Sequence, residues 1–322
     1  MLTKPIRSLA AIATWLCIGA ACLAEPLTIA VTPSALSLPV DVARAQGFFT
    51  AEGLDVRVVD CASGPVCLKL LFDGTAHMAA AAELPIVNAG FERSDFALIS
   101  TIATSTGNIR LLARKSAGIA RAKDLVGMRV GAIAGTSAHY FLETYLLFHD
   151  IDPRQIKFVP LTGANAVAAM ERREVDAFAG FTQHTSAITR SLKSDSVVLD
   201  DPHIYTETYN LVVQRSLLAS RSAEVRKVLR ALDRAEQFIA KSPAEAKQMV
   251  IARTAVDAAL LDTIFPSFTY RLSLNQSLIS AMEGEGRWAI REGHASAKTV
   301  PNYLKLVDDG PLRSAVPSAF PR

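Results

Sequence analysis

The sequence has no block of like charges, no low-complexity tract, no heptad repeat and, past residue 24, no apolar stretch long enough to cross a bilayer. These absences exclude a coiled coil, a charged tail and a membrane-spanning helix from residues 25–322. Short enzyme signatures are missing too: no G-x-S-x-G elbow, no H-E-x-x-H, no Walker loop and no G-x-G-x-x-G after a strand. Six histidines are scattered and never fall at ligand spacing, so nothing asks for a metal or a cofactor. Charge of one sign is also lacking. The 34 Lys and Arg face 31 Asp and Glu with signs interspersed, without the basic stripe that a nucleic-acid partner would favour.

What is present begins with an export signal. Lys4 and Arg7 precede an apolar run over 9–23, and small residues close it at Ala20, Ala21 and Ala24. The run is short for a bilayer span of about 20 residues. A lipid-attachment box is disfavoured because Gly19-Ala20-Ala21, with no large aliphatic residue, precedes Cys22. Cleavage is expected after Ala24, which leaves a soluble chain of 25–322 in the periplasm. Cys17 and Cys22 leave with the signal, and Cys61 and Cys67 remain. In an oxidising compartment these two are expected to form a disulfide, because two cysteines alone do not complete a tetrahedral zinc site.

The remaining chain reads as a duplicated unit. Strand patterns at 27–31, 54–59 and 76–82 alternate with helical ones at 40–49 and 66–72, and Pro85 suits the first position of a further helix. About a hundred residues later the order recurs, with strands at 128–133, 156–159 and 175–179 and helices at 137–149 and 164–172. Ser63-Gly64 in the first copy answers Thr162-Gly163 in the second. The fold class implied is α/β, with two similar lobes of mostly parallel sheets. Strand-like stretches at 109–113 and 209–213 bracket the second unit and predict a two-strand hinge. The first lobe would then hold 25–114 and 206–322, and the second 115–205. The first C-terminal helix carries Val225, Val228, Leu229, Leu232, Ala235 and Ile239 on one stripe.

Open parallel sheets bind ligands at the carboxyl ends of their strands. The loops placed there are 33–37, 62–64, 83–84, 104–108, 135–140, 162–163 and 181–184. From them the candidate contacts are Ser37, Gly64, Glu83, Thr106, Asn108, Thr136, Ser137, His139, Thr162, Thr182 and Gln183. Thr136 and Ser137 precede a helix, where free N–H groups hold anions, although plain N-capping explains them equally. Glu83 suits either a helix dipole or a cationic or hydroxylated ligand. The 104–108 segment reads as turn chemistry or as polar contacts beside the hinge. His139 is the better contact than Tyr140, which suits the core. Phe181 and His184 read as a stacking wall or as core. Hydroxyls and amides with one acid and few bases favour a polar or anionic small molecule, and Glu83 leaves a cationic or aromatic one open.

Segments 46–56, 71–85, 123–131 with Gly135-Thr136-Ser137, and 231–246 resemble solute-binding proteins of the nitrate/sulfonate/taurine and thiamine-pyrimidine-precursor type. The resemblance implies the periplasmic binding protein type 2 fold and a non-enzymatic, monomeric protein that closes on a small solute. It also implies partners, the permease and ATPase subunits of an ABC importer. At Phe181-Thr182-Gln183-His184 the chain departs from the Trp-Glu-Pro-like stretch of many relatives, which leaves the ligand class open. The other expectations are a pyrimidine-precursor binding protein, a fold-related pyrimidine-synthesising enzyme, which would be cytoplasmic, and a sensory ligand-binding component.

Overall fold

A computed structural model describes residues 25–199, 201 and 204–320; the expected export signal at 1–24 lies outside the described residues. The first lobe opens with β1 (Leu27–Val31), α1 (Leu38–Ala45), α2 (Phe48–Ala51), β2 (Val56–Asp60), α3 (Gly64–Phe72), β3 (Met78–Ala82), α4 (Glu83–Glu92) and β4 (Phe96–Ser105). The second lobe holds β5 (Ile109–Arg114), β6 (Arg129–Ile133), α5 (Ser137–Phe148), β7 (Lys157–Leu161), α6 (Ala166–Glu171), β8 (Ala177–Phe181), α7 (Thr182–Leu192) and β9 (Ser196–Val198). The chain then returns through β10 (Glu207–Gln214), α8 (Arg215–Lys241), α9 (Pro243–Thr254), α10 (Ala258–Ile264), β11 (Phe268–Thr269), α11 (Gln276–Arg291) and α12 (Gly310–Ala315).

The duplication is visible in the hydrogen bonding. In the first sheet β1 lies between β2 and β3, parallel to both. In the second, β6 lies between β7 and β8, again parallel to both. Each parallel triplet is then extended by antiparallel strands. β10 pairs with β3 and β4, while β5 pairs with β8 and β9. The sheet orders are β11-β4-β10-β3-β1-β2 and β7-β6-β8-β5-β9, so both sheets are mixed.

This pairing moves the first hinge crossing. It is expected near residue 114, but residues 109–113 pair with β8 over five positions, so β5 already belongs to the second lobe. Residues 106–108 make the crossing, and Thr104 and Ser105 lie in β4, not in a loop. Two helix expectations shift as well. The helix expected over 40–49 is two helices, broken where Gly47 takes φ +69°. Pro85 is the third residue of α4, which starts at Glu83 directly after β3.

Helices cover both faces of each sheet. On one face of the first sheet, Leu27, Ile29 and Val31 pack with α1 and α8. The stripe Val225, Val228, Leu229, Leu232, Ala235 and Ile239 is buried there, and each large aliphatic side chain contributes roughly 1.5–3 kcal/mol by leaving water. On the other face, Ala79 and Ala81 of β3 pack with α3, α4 and α11. In the second lobe Phe141, Leu142 and Leu146 of α5 cover one face; Met170 of α6 and Ile188 of α7 cover the other. With helices on both sides, a central strand is apolar on both faces, as β3 is over all five residues. Among the described residues no helix is long and apolar enough to cross a membrane.

Candidate solute cleft

The carboxyl ends of the two parallel triplets face one another across a cavity of about 650 Å³. The first lobe brings Thr32, Ser34 and Leu36 after β1, the segment 62–65 at the start of α3, and Ala82 and Pro85 around the start of α4. From the second come Thr136 and Ser137 after β6, Pro160 to Gly163 around the end of β7, and Phe181, Gln183 and His184 around the end of β8. The hinge adds Asn108 from one crossing and Glu207 and Tyr209 from β10.

Local sequence explains how the walls are held. Gly135 takes φ +71° and turns the chain from β6 into α5. Thr136 then caps α5: its Oγ1 donates to the Ile133 carbonyl at 2.7 Å and accepts from the Ala138 N–H at 3.3 Å. Gly163 lies against the His184 ring, whose Nε2 would stand 2.5 Å from a Cβ at that position. Opposite, the Cys61–Cys67 disulfide, with Cα atoms 5.4 Å apart, closes the segment that presents Ala62, Ser63 and Gly64. Tyr209 supports the turn after β1 by accepting the Thr32 N–H at 3.0 Å.

The cavity walls are electrically quiet and short of partners. No Lys or Arg lines them among the described residues. Burial pushes the His184 imidazole down to about 4, so it is neutral at pH 7. Burial first, and then the neighbouring Glu83 carboxyl, raise Glu207 to about 8 against the pull of Asn108 Nδ2, which donates to it at 2.7 Å. Four buried atoms of the wall have no partner in the protein: Ser34 Oγ, Asn108 Oδ1, Ser137 Oγ and His184 Nδ1. An unmade buried hydrogen bond costs roughly 1–3 kcal/mol. A concave, mostly apolar cavity with a few polar groups on its wall has the usual form of a small-molecule site.

Of the residues singled out in the sequence, Gly64, Asn108, Thr136, Ser137, Thr162 and Gln183 come together on this wall. Ser37, Glu83, Thr106, His139 and Thr182 do not. The hydroxyl of Ser37 is turned under the loop, donating to the Ser34 carbonyl at 2.8 Å and to Asp41 Oδ2 at 3.2 Å. Glu83 is fully buried behind the wall, where its carboxylate accepts the Thr208 N–H and hydroxyl, both at 2.8 Å, and the Tyr205 hydroxyl. Its pKa rises to about 7, mainly through burial. Thr106 donates its N–H to the Ser267 carbonyl at 3.2 Å. Thr182 is the first residue of α7, and its N–H and hydroxyl both donate to the Asn108 carbonyl.

His139 lies two residues past Ser137 on α5, about 200° round the helix and hence on another face. It stacks on Phe158 with ring centroids 4.3 Å apart and places Nε2 3.3 Å from Glu143 Oε1. Sequence reasoning missed Glu207 and Tyr209. Their alternation with Leu211 and Val213 puts all four on one face of β10, so an acid at the inward end of that strand was the available signal.

Residues 36–246 match the family described as NMT1/THI5 like. Over 233 residues the chain is 25% identical to the taurine-binding periplasmic protein of Escherichia coli K12, covering 70% of this chain and 71% of that one. It superposes on the alkanesulfonate-binding protein SsuA of Xanthomonas axonopodis pv. citri, bound to MOPS, with a TM-score of 0.75 at 18% identity, covering 88% and 98% of the two chains. On the periplasmic nitrate-binding protein NrtA of Synechocystis PCC 6803 the TM-score is 0.70 at 13% identity, covering 91% and 88%.

Proposed function

The chain belongs to the NMT1/THI5-like family, and from that premise we propose that it is a periplasmic solute-binding protein, which takes up a small polar solute of the sulfonate or taurine type between its lobes and hands it to an ABC importer. The observation that carries this reading is the cavity itself, which lies between two duplicated lobes and is lined by Ser34, Asn108, Ser137 and His184, each with a buried polar atom that has no protein partner. Two of them, Ser34 Oγ and Ser137 Oγ, follow corresponding strands, β1 and β6. Ser137 opens α5, whose N-terminal dipole end favours an anionic oxygen without a cation. The volume of about 650 Å³ lies within the usual range for small-molecule sites, roughly 300–1,000 Å³.

Binding by such a protein needs no bond chemistry; it needs a solute that favours the closed arrangement of the lobes over the open one. Isothermal titration of residues 25–322 with taurine, ethanesulfonate, MOPS, nitrate and thiamine-related pyrimidines tests the proposal. Saturable heat with a member of the panel, and a raised melting temperature with the same compound, is the expected result. Absence of binding across the panel, together with turnover of any member, would overturn it. Binding of a pyrimidine alone would move the cargo to the thiamine-precursor class.

A further inference from the structure

We propose that the facing rings of His139 and His294 make the contact between the lobes a pH-sensitive latch, fastened at neutral pH and loosened by acid. The two residues come from different lobes. His139 lies on α5 of the second lobe, and His294 follows α11, which packs on the first. Gly293 takes φ +73° and turns the chain back on α11, so that the His294 N–H donates to the Ala289 carbonyl at 2.8 Å. That turn sets the His294 imidazole 4.8 Å from the Trp288 ring and 5.1 Å from the His139 ring, centroid to centroid. His139 is 3% exposed and held between Phe158 and Trp288, whereas His294 is open to solvent. Neither histidine lines the cavity, so the pair answers to the medium and not to the solute.

Two imidazoles this close resist carrying charge together. His139 Nε2 lies 3.3 Å from Glu143 Oε1, and its buried Nδ1 has no partner, so a proton added there finds no acceptor. A proton added to His294 meets the His139 ring across the interface. His294 is held below its ordinary value of 6.5 by desolvation first and then by the charge of His139, against the pull of Glu143 and Glu292. Parting the lobes takes His294 away from His139 and returns it toward that value. Below 6.5 the parted form therefore binds more protons, and acid favours it; above 6.5 the latch has its full strength. The other groups at this contact keep their charge as His294 titrates. Arg291 acts on Glu143 across the interface and Arg154 of the second lobe acts on Glu292, both as permanent cations. Glu143 is held below the usual glutamate range and the Tyr140 phenol above its own. Glu83 and Glu285, behind Tyr140, are the remaining acids that act here.

Small-angle scattering of the unliganded protein and of H294Q, from about pH 8 down to about pH 5, tests the latch across the histidine range. Glutamine keeps a polar side chain and takes up no proton. The unmodified protein is expected to show a radius of gyration that rises below about pH 7, with the share of parted lobes at least roughly doubled. H294Q is expected to lose at least about half of that rise. His294 is exposed, so H294Q should fold, and equal urea midpoints at neutral pH check that it does. Titration of Glu83 and Glu285 is common to both proteins and cancels in the comparison. A radius of gyration that ignores pH in the unmodified protein overturns the latch, and so does an equal rise in the two proteins. The outcome does not depend on which solute the cavity takes.

Discussion

The indole N–H of Trp288 donates to Glu143 Oε2 at 2.7 Å, and the two side chains belong to different lobes. Glu143 lies on α5 of the second lobe, while Trp288 lies on α11, which packs against the first. Around them His139 and His294 approach with ring centroids 5.1 Å apart, and Tyr140 meets both Trp288 and Tyr205. Burial pulls the Glu143 carboxyl upward, but the bonds from His139 and Trp288, with the charges of His139 and Arg291, hold it below the usual glutamate range. This contact is separate from the cavity wall, so it acts on the relative position of the lobes without touching a solute.

Replacing Trp288 with Phe keeps an aromatic ring and removes the donor. A hydrogen bond to a charged group contributes roughly 1.5–3 kcal/mol, so W288F is expected to shift the balance toward separated lobes by about tenfold or more. Small-angle scattering of the unliganded protein should show a larger radius of gyration, and solute affinity should fall. Identical scattering from the two proteins would rule the contact out as a latch.

Ser34 and Ser137 give a prediction of opposite signs. Each hydroxyl is buried and unpartnered, so alanine removes an unmet polar atom from the empty protein. S34A and S137A should leave the stability of the unliganded protein unchanged or raise it by up to about 1 kcal/mol, with a melting temperature unchanged or higher. Both should weaken solute binding roughly three- to tenfold. A hydroxyl of purely structural value would instead lower the melting temperature and leave affinity alone.

The buried acids set a pH dependence. Glu207 titrates near 8 and Glu83 near 7 in the folded chain, against an ordinary value of 4.5. Between roughly 4.5 and 8 the folded chain therefore binds more protons than the unfolded one. Their contribution is fully present below 4.5 and is lost as pH rises through 7 and 8. Urea unfolding of the unliganded protein from pH 5 to 9 should show a falling midpoint, and E207Q should flatten the fall. The same slope in both proteins would mean that Glu207 does not ionise in that window.

The disulfide contributes to stability and to the shape of the wall. Closing so short a loop constrains the unfolded chain by about 2 kcal/mol on the entropy model. The double substitution of Cys61 and Cys67 with serine should lower the urea midpoint accordingly. It should also weaken binding, because Ala62, Ser63 and Gly64 lie between the two sulfurs and face the cavity. Insensitivity of the unmodified protein to reducing agent would contradict the first expectation.

Much of the architecture was legible because local patterns agree with it. Strands β1 and β6 read directly from their apolar runs, and the repeated order of loops gave two lobes before any pairing was known. The limits have specific causes. Strand β4 is buried on nearly every residue from Phe96 to Ser105, so it lacks the period-two alternation that marks a half-exposed strand. The site was half legible. Gly64, Thr136, Ser137 and Thr162 follow their strands directly, and strand ends alone place them. His139 lies off the cavity wall with partners Trp288 and His294 some 150 residues away in the chain, where no local rule reaches. Glu83 lies behind the wall for a similar reason: Thr208 and Tyr205, which hold it there, come from the returning chain.

Only residues 106–108 separate β4 from β5, and Thr182 fixes the Asn108 carbonyl with two hydrogen bonds. So short a span works as a fulcrum: in any turn of one lobe against the other, displacement grows with distance from it, and atoms beside it hold station while the far rim travels. On the proposed reading of the cavity, a solute would meet the residues beside this span before the rim reached it, so recognition would precede enclosure.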